Sequence, residues 1–449
     1  MTLPEEFVIT TRQLLGEEYD AFEKSLSQPS PVSIRWNPAK SANPNDNKIP
    51  WASAGQYLAE RPVFTLDPLF HAGAYYVQEA SSMLLEQVIR QSISLKDDLA
   101  VLDLCAAPGG KSTHLASLLT DKSLLVCNEV IRSRAGILAE NMQKWGYPNT
   151  VITNNDPQDF DSLHFQFDVI VVDAPCSGEG LFRKDPDATK EWSPDNVKLC
   201  AARQQRILAD VWEALKPGGV LIYSTCTYNP QENEQNLAWL SDQLDAKPLE
   251  LSIDPVWGFN TAEVAGITGF HAYPNKVKGE GFFITAVHKS DGKEKRLKRT
   301  KYRHPYVHKK LIPQFNSWIH SAEERFFIQH KETILALPEA WHNELLDINQ
   351  NLHIITEGLK VGDEKKNKIV PDQALALSTL LNPDSFNLTA LGRQEALLFL
   401  KKDTLDSSLF KEGLNLVAYK NHPIGWGKRI GNRFNNSYPT PWRIRMNLD

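Results

Sequence analysis

Two cysteines stand where a thiol could act on a bound substrate. Cys176, in Asp173-Ala174-Pro175-Cys176-Ser177-Gly178-Glu179-Gly180, follows the apolar run FDVIVVD, and Cys226, in Tyr223-Ser224-Thr225-Cys226-Thr227-Tyr228, follows VLIYST. Each leaves an expected strand for a turn with small neighbours, where a thiolate finds donors and substrate. A thiol with the reference pKa near 8.5 is only about 3 % thiolate at neutral pH, so a nucleophile needs backbone dipoles or a cation such as Lys111. Cys127 and Cys200, expected inside a strand and a helix, read as buried inert thiols. The five cysteines are odd in number and show no C-x-x-C spacing, so neither a disulfide framework nor a metal site is expected.

A further cysteine lies within Val101 to Thr113, VLDLCAAPGGKST. Val101, Leu102 and Leu104 predict a short buried strand, Pro108-Gly109-Gly110 breaks it, and Leu115, Leu118 and Leu119 resume at helical spacing. Such a turn brings backbone N–H groups and a helix N-terminus to a ligand. The run GGKS suggests a phosphate loop, but Cys105 stands where G-x-x-x-x-G-K-[ST] needs its first glycine. G-x-G-x-x-G is absent too, which removes the standard dinucleotide fingerprint. Carboxylates recur at expected strand ends as Asp103, Glu129, Asp156 and Asp173. Ligands of open α/β sheets bind at those ends, so the four can converge on one crevice, with Glu129 suited to a ribose diol and Asp156 to an adenine amino group.

Positioning these groups requires strands at LAVLDL, 123–128, 150–153, 167–173 and VLIYST, with helices from Ser112, from Ser133 to Trp145 and from Asp195 to Leu215. Their alternation predicts an α/β fold with a parallel sheet covered on both faces. The expected divisions are a turn-rich N-terminal domain over 1–95 that positions substrate, a central domain over 96–289, a basic linker and helical connector over 290–375, and a tail over 376–449. Within the first, HAGAYYVQEASSMLLEQVIRQS predicts a helix. KEKRLKRTKYRHPYVHKK at 293–310 carries nine Lys+Arg against one Glu and reads equally as a solvated linker or a phosphate-tracking strap. His304 and His308 within it lack a third metal ligand and are expected to face RNA or solvent. Residues 311–384 read as helices with loops, and the alternating, glycine-rich tail as a small β-barrel with a basic face. Trp426 and Trp442 there suit either base stacking or barrel core.

A length of 449 residues, 41 % of them hydrophobic and 23 % charged, suits two or three globular domains. The N-terminus has no cationic head before an apolar core and no later run approaches membrane length, so a cytoplasmic protein is expected. The net charge of −6 argues against a simple nucleic-acid coat, yet residues 290–449 hold 25 Lys+Arg against 18 Asp+Glu. That back third could meet a polyanion the front repels.

Together LDLCAAPGGKS, DAPCSGEG and STCTYNPQENE resemble the NOP/Sun (NSUN) family of RNA 5-methylcytosine methyltransferases, and SIRWNP, YYVQEASSM and KVKGEGFF extend the resemblance over most of residues 30–289. NHPIGWGKR and NSYPTPWRIR resemble the PUA-like tail of bacterial 16S rRNA methyltransferases of the F type. The resemblance implies a Rossmann-like class I methyltransferase domain using S-adenosyl-L-methionine, a small N-terminal α+β domain and a PUA-like β-barrel. It implies that Cys105, Ala106, Ala107, Pro108, Gly109, Gly110 and Lys111 cradle the methionine and ribose of the cofactor. Glu129 would then bind the ribose hydroxyls, Asp156 the adenine edge, and Asp173 would lie near both cofactor and base. Cys226 would be the nucleophile at cytosine carbon 6 and Cys176 would assist release.

RNA is the implied partner, with small-subunit rRNA or the 30S subunit favoured by the tail and tRNA the alternative. A DNA cytosine methyltransferase would use the Pro-Cys thiol as nucleophile and need no Thr-Cys partner. A small-molecule methyltransferase leaves the paired thiols and basic tail unexplained. A largely non-catalytic RNA-binding ribosome-assembly factor would keep the motifs without using them. His271-Ala272-Tyr273-Pro274-Asn275 departs from the R-L-x-P-H of relatives, so no role carries over there.

Overall fold

In the computed structural model, which describes residues 3–41, 46–185, 187–298, 303–366 and 368–448, the apolar runs become the centre of one large sheet. Its strands are β1 (Ala100–Asp103), β2 (Leu124–Asn128), β3 (Thr150–Thr153), β4 (Phe167–Asp173) and β5 (Leu215–Thr225), all parallel in the order β3-β2-β1-β4-β5. Every residue of β1, β2 and β3 is buried, because helices cover both faces. The order reverses between β1 and β4, so the crevice of this Rossmann-like fold opens above their carboxyl ends. Beyond β5 the sheet continues antiparallel through β6 (Asn260–Val264), β7 (Ile267–Ala272) and β8 (Phe282–His288), with β8 lying against β5.

The helices that flank the crevice follow from local sequence. Helix α1 (Gly110–Leu118) starts behind Gly109, whose φ of 115° is one a side chain would resist. Helix α2 (Arg132–Trp145) ends at Gly146, also left-handed. Helix α3 (Pro194–Trp212) has Pro194 in its first turn and the Ser193 hydroxyl accepting from Asn196 N–H, and it buries Ile207, Leu208, Val211 and Trp212 against the sheet and Val197 against Phe7 and Trp192.

Three expectations from sequence are corrected. The stretch after Pro68 is not one helix: a single helical turn over Pro68–His71 gives way to the strand Tyr75–Val77, antiparallel to Val32–Trp36, and α-helix resumes at Leu85. Two tyrosines and a valine favour a pleated strand, and Tyr75 packs edge-on against Trp36 with centroids 5.5 Å apart. Residues 311–384 are not mainly helical either. Arg325–His330, Thr333–Pro338, Leu359–Lys365 and Lys368–Pro371 form a four-stranded antiparallel sheet, while β9 (Ile354–Glu357) leaves it to pair antiparallel with β3. RFFIQH and TILALP are short apolar runs joined by a turn with Lys331 at φ 57°, and their pairing with each other makes them a hairpin. His304 is 4 % exposed, packed on Phe326 and His342, and burial lowers its pKa to about 4, so it faces neither RNA nor bulk water. Part of the surrounding basic run, 299–302, lies outside the described residues.

The tail holds strands Asn387–Leu391, Gly413–Tyr419, His422–Ile430 and Arg433–Asn436, the first pair parallel, with helix Arg393–Lys401 beside them. Trp426 is core and donates its indole N–H to Asp372 O at 2.7 Å. The tail packs on the N-terminal domain, where Ala72 joins Phe399, Val417 and Tyr438. Beneath that seam Lys40 Nζ donates to Ala72 O at 2.9 Å and to Lys144 O at 2.7 Å, and burial lowers its pKa to about 7. Gly73 fits the seam at φ 67° because a Cβ there would sit 1.8 Å from Lys144 O. Gly73→Ala is therefore expected to destabilise the fold by about 3 kcal/mol or more, read as a lowered denaturation midpoint. Among the described residues no helix is long and apolar enough to cross a membrane.

Candidate active site

The carboxyl ends of β1, β2, β4 and β5 border a cavity of about 440 Å³ whose walls include Cys105, Glu129, Arg134, Asp173, Cys176 and Cys226. Beneath it the turn after β1 is held by backbone bonds from Leu104 N–H to Val171 O, 2.9 Å, and from Ala106 N–H to Asn128 O, 2.8 Å. Ser112 in α1 donates to Asp103 Oδ2 at 2.7 Å. Burial raises the Asp103 pKa to about 7 against that hydroxyl's pull, and Asp173 adds to the rise. Cys105 and Ala107 line the cavity, whereas Ala106, Pro108, Gly109 and Gly110 shape the turn without lining it. Burial also pushes the Cys105 thiol up, which suits a wall and not a nucleophile.

Asp173, the last residue of β4, has both oxygens engaged. Lys111 Nζ lies 2.8 Å from Oδ2, and Ser224 donates its hydroxyl to Oδ1 at 2.8 Å. Lys111 also sits 4.9 Å above the Phe282 ring. The cation considered from sequence as a helper for a thiolate is instead paired with this carboxylate. Among ionised groups in a half-buried site that pairing fixes orientation more than it adds stability.

The two loop cysteines meet. Cys176 and Cys226 Sγ are 2.9 Å apart, and Cys226 N–H donates to Cys176 Sγ at 3.3 Å. The hydrogen bond with Cys226, and then burial, push the Cys176 thiol well above its ordinary pKa. Cys176 thus keeps its proton and can offer it to the neighbouring sulfur. Cys127 and Cys200 are buried away from this pair, as expected of packing thiols.

Across the cavity Glu129 is 3 % exposed, accepting from Ile131 N–H at 2.9 Å and lying 3.3 Å from Arg134. Asp156 is not brought into the cavity wall. It caps the turn Pro157–Ser162 and pairs with Arg206 at 3.3 Å, while its neighbour Pro157 and Arg206 itself line the cavity. Sequence reasoning missed Arg134, whose guanidinium also donates to Ala107 O at 2.8 Å and so ties α2 to the glycine turn. It also missed Ser224, which is legible only once β4 and β5 are known to be neighbours. Among the described residues no group of three or more His, Cys, Asp or Glu could hold a metal ion.

Three family models match this chain. The model for 16S rRNA methyltransferase RsmB/F covers residues 91–288, that for the N-terminal domain of 16S rRNA methyltransferase RsmF residues 3–80, and that for the methyltransferase RsmF PUA domain residues 386–444. The ribosomal RNA small subunit methyltransferase F of Pectobacterium carotovorum subsp. carotovorum is 34 % identical over 97 % of this chain and 95 % of its own length. That of Vibrio atlanticus is 32 % identical over 97 % of each. A methyltransferase homologue from Pyrococcus horikoshii superposes with a TM-score of 0.54 at 29 % identity, covering 64 % of this chain and 95 % of the other. NSun6 from the same organism, solved with SFG, shares the fold at a TM-score of 0.53 and 21 % identity, covering 64 % and 99 %.

Proposed function

Because the chain belongs to the family of ribosomal RNA small subunit methyltransferase F, we propose that the paired thiols are the reaction centre of an S-adenosylmethionine-dependent 16S rRNA cytosine-C5 methyltransferase. The observation that carries this is two sulfurs 2.9 Å apart at a cavity that also holds Asp173 and Glu129. A nucleoside-sized ligand fits about 440 Å³, and the polar groups match it. Glu129 accepts the ribose hydroxyls, Cys105 and Ala107 on the turn after β1 face the methionine end, and Pro157, beside Asp156, borders the adenine. When bound there, S-adenosylmethionine supplies an electrophilic methyl group.

Cytosine carbon 5 is a poor nucleophile until carbon 6 is attacked. Cys226, as thiolate, adds at carbon 6 and pushes electron density to carbon 5. Asp173, held by Lys111 and Ser224, accepts from the exocyclic amine and fixes the ring so that the thiolate meets the face of carbon 6. Once carbon 5 carries the methyl group, loss of its proton to water returns an electron pair to the ring and expels the Cys226 thiolate. Cys176 S–H donates to the departing sulfur and lowers the cost of its leaving.

RNA reaches this centre with the help of the tail, where Lys428, Arg433, Arg443 and Arg445 are exposed and suited to phosphates. The experiment that tests the reading is transfer of labelled methyl to 30S subunits, tRNA and DNA, with bisulfite mapping of the product. Label at a cytosine of 16S rRNA is expected, while label confined to tRNA or DNA overturns the assignment. Glu129→Gln is expected to raise the KM for S-adenosylmethionine about tenfold with a smaller change in kcat, because one charge-assisted bond to the ribose is lost. Titration calorimetry with the cofactor checks it.

A further inference from the structure

We propose that Glu179 and Glu232 are positioning residues that clasp the two cysteine loops to each other and so set the distance between the thiols. Each carboxylate grips the loop it does not belong to. Glu179, three residues after Cys176, crosses to the other loop, accepting from Tyr228 N–H at 3.1 Å and from the Asn229 amide at 3.1 Å. Glu232, six residues after Cys226, crosses back, accepting from Ser177 N–H at 2.9 Å and from the Ser177 hydroxyl at 2.5 Å.

The crossing is braced at both ends. Trp192 donates its indole N–H to Glu179 at 3.0 Å, and Gln204 of α3 donates to Glu232 at 2.8 Å and to Pro175 O at 3.0 Å. Between them Ser177 and Thr227 hydroxyls meet at 3.0 Å, and Gly180 N–H donates to Cys226 O at 2.8 Å. With Asn229 N–H donating to Thr227 Oγ1 at 3.2 Å, the donors run in one direction, from Asn229 through Thr227 and Ser177 to Glu232.

Both carboxylates are nearly sealed, Glu179 at 2 % and Glu232 at 0 % exposure. Burying two acids within one small region costs stability unless their acceptors are used, and here each oxygen of each has a donor. Burial raises the Glu179 pKa to about 7, and the Glu232 charge adds to it. A fold that needed only to bridge these loops could use neutral amides. An amide at either position places its own N–H₂ against donors, so the acceptor-only side chain is what fits.

Neither carboxylate lines the cavity, so each acts through the cysteines. The geometry that Cys176 needs to support departure of Cys226 is within hydrogen-bond reach, and it depends on loops that share no backbone ladder at those residues. Loosening the clasp should therefore slow release of the product more than it disturbs cofactor binding.

This inference rests on the assignment of Cys226 as nucleophile and Cys176 as release group, and the test separates the two. Glu232→Gln, Glu179→Gln and the milder Ser177→Ala would be prepared in the full chain beside Cys226→Ala. Each is assayed for kcat, for the KM of S-adenosylmethionine, and for the lifetime of the covalent RNA adduct on denaturing gels. Expected are a kcat at least tenfold lower for either Gln variant, a KM within twofold, and a longer-lived adduct in all three. Combining Ser177→Ala with Glu232→Gln should add less than the two separate effects, since both break one contact. If a Gln variant does not fold, Ser177→Ala, which keeps the backbone bond, carries the test alone. Unchanged adduct lifetime in folded Ser177→Ala and Glu232→Gln, with Cys226→Ala inactive, overturns the clasp and leaves the thiol roles standing. Methylation by Cys226→Ala overturns the thiol roles themselves.

Discussion

Cys226→Ala is expected to reduce methyl transfer by at least about 10³-fold, because without addition at carbon 6 the cytosine ring has no activated carbon 5 and no other group can supply it. No covalent RNA adduct should form. The neighbouring substitution behaves oppositely: Cys176→Ala keeps the nucleophile but removes the S–H that lies 2.9 Å from it, so the adduct forms and then persists. Labelled RNA resolved on a denaturing protein gel distinguishes the cases. A shifted band with Cys226→Ala and none with Cys176→Ala would exchange the two roles, which is the arrangement expected of a DNA-type Pro-Cys nucleophile.

Gly180→Ala should be nearly as damaging although it removes no functional group. A Cβ at this position would lie 2.5 Å from Gly281 O and 2.8 Å from Cys226 O, both of them backbone atoms that cannot swing aside. The loop bearing Cys226 must then move by a good fraction of an ångström, and displacements near 1 Å cost on the order of 10²-fold in rate. The loss should appear in kcat, with the KM for S-adenosylmethionine, which we propose Glu129 sets from across the cavity, little affected. Gly136→Ala on α2 is the control, since nothing lies within 4 Å of its added methyl, and the variant should be as active as the parent and slightly more stable. Equal effects of the two substitutions would show that the close approach at Gly180 does not hold the thiol.

How much of this was legible beforehand depends on whether the signal was local. The strand, turn and helix around Cys105 are a continuous pattern of apolar runs and glycines, and the parallel sheet followed from five such runs. Cys176 and Cys226 could be placed near each other because strands of one sheet end on one side. The carboxylates that hold them could not, for Glu179 and Glu232 sit in GEG and NPQENE with nothing in either run to say that each reaches across. Asp156 follows the end of β3 by three residues, yet its capping of Pro157–Ser162 and its pairing with Arg206 are three-dimensional facts. His304 was misjudged because a histidine among cations looks solvated, and only Phe326 and His342, brought from distant segments, bury it. The connector misled for a different reason: short apolar runs fit helix or strand, and the pairing partner decides.

The strand β9 bears on the order in which the protein can be completed during synthesis. It pairs with β3 from more than 200 residues downstream, as Ile354↔Thr153 and Glu357↔Val151 show, and His353 exchanges bonds with Asn155, beside Asp156. While the nascent chain is short of that strand, β3 is an open ladder of unpaired N–H and C=O groups, the kind of rim that recruits other chains. Only after roughly four-fifths of the polypeptide has left the ribosome does the rim close. Until then Asn155 lacks its bonds to His353, and holding that rim apart from its neighbours falls to whatever meets the emerging chain.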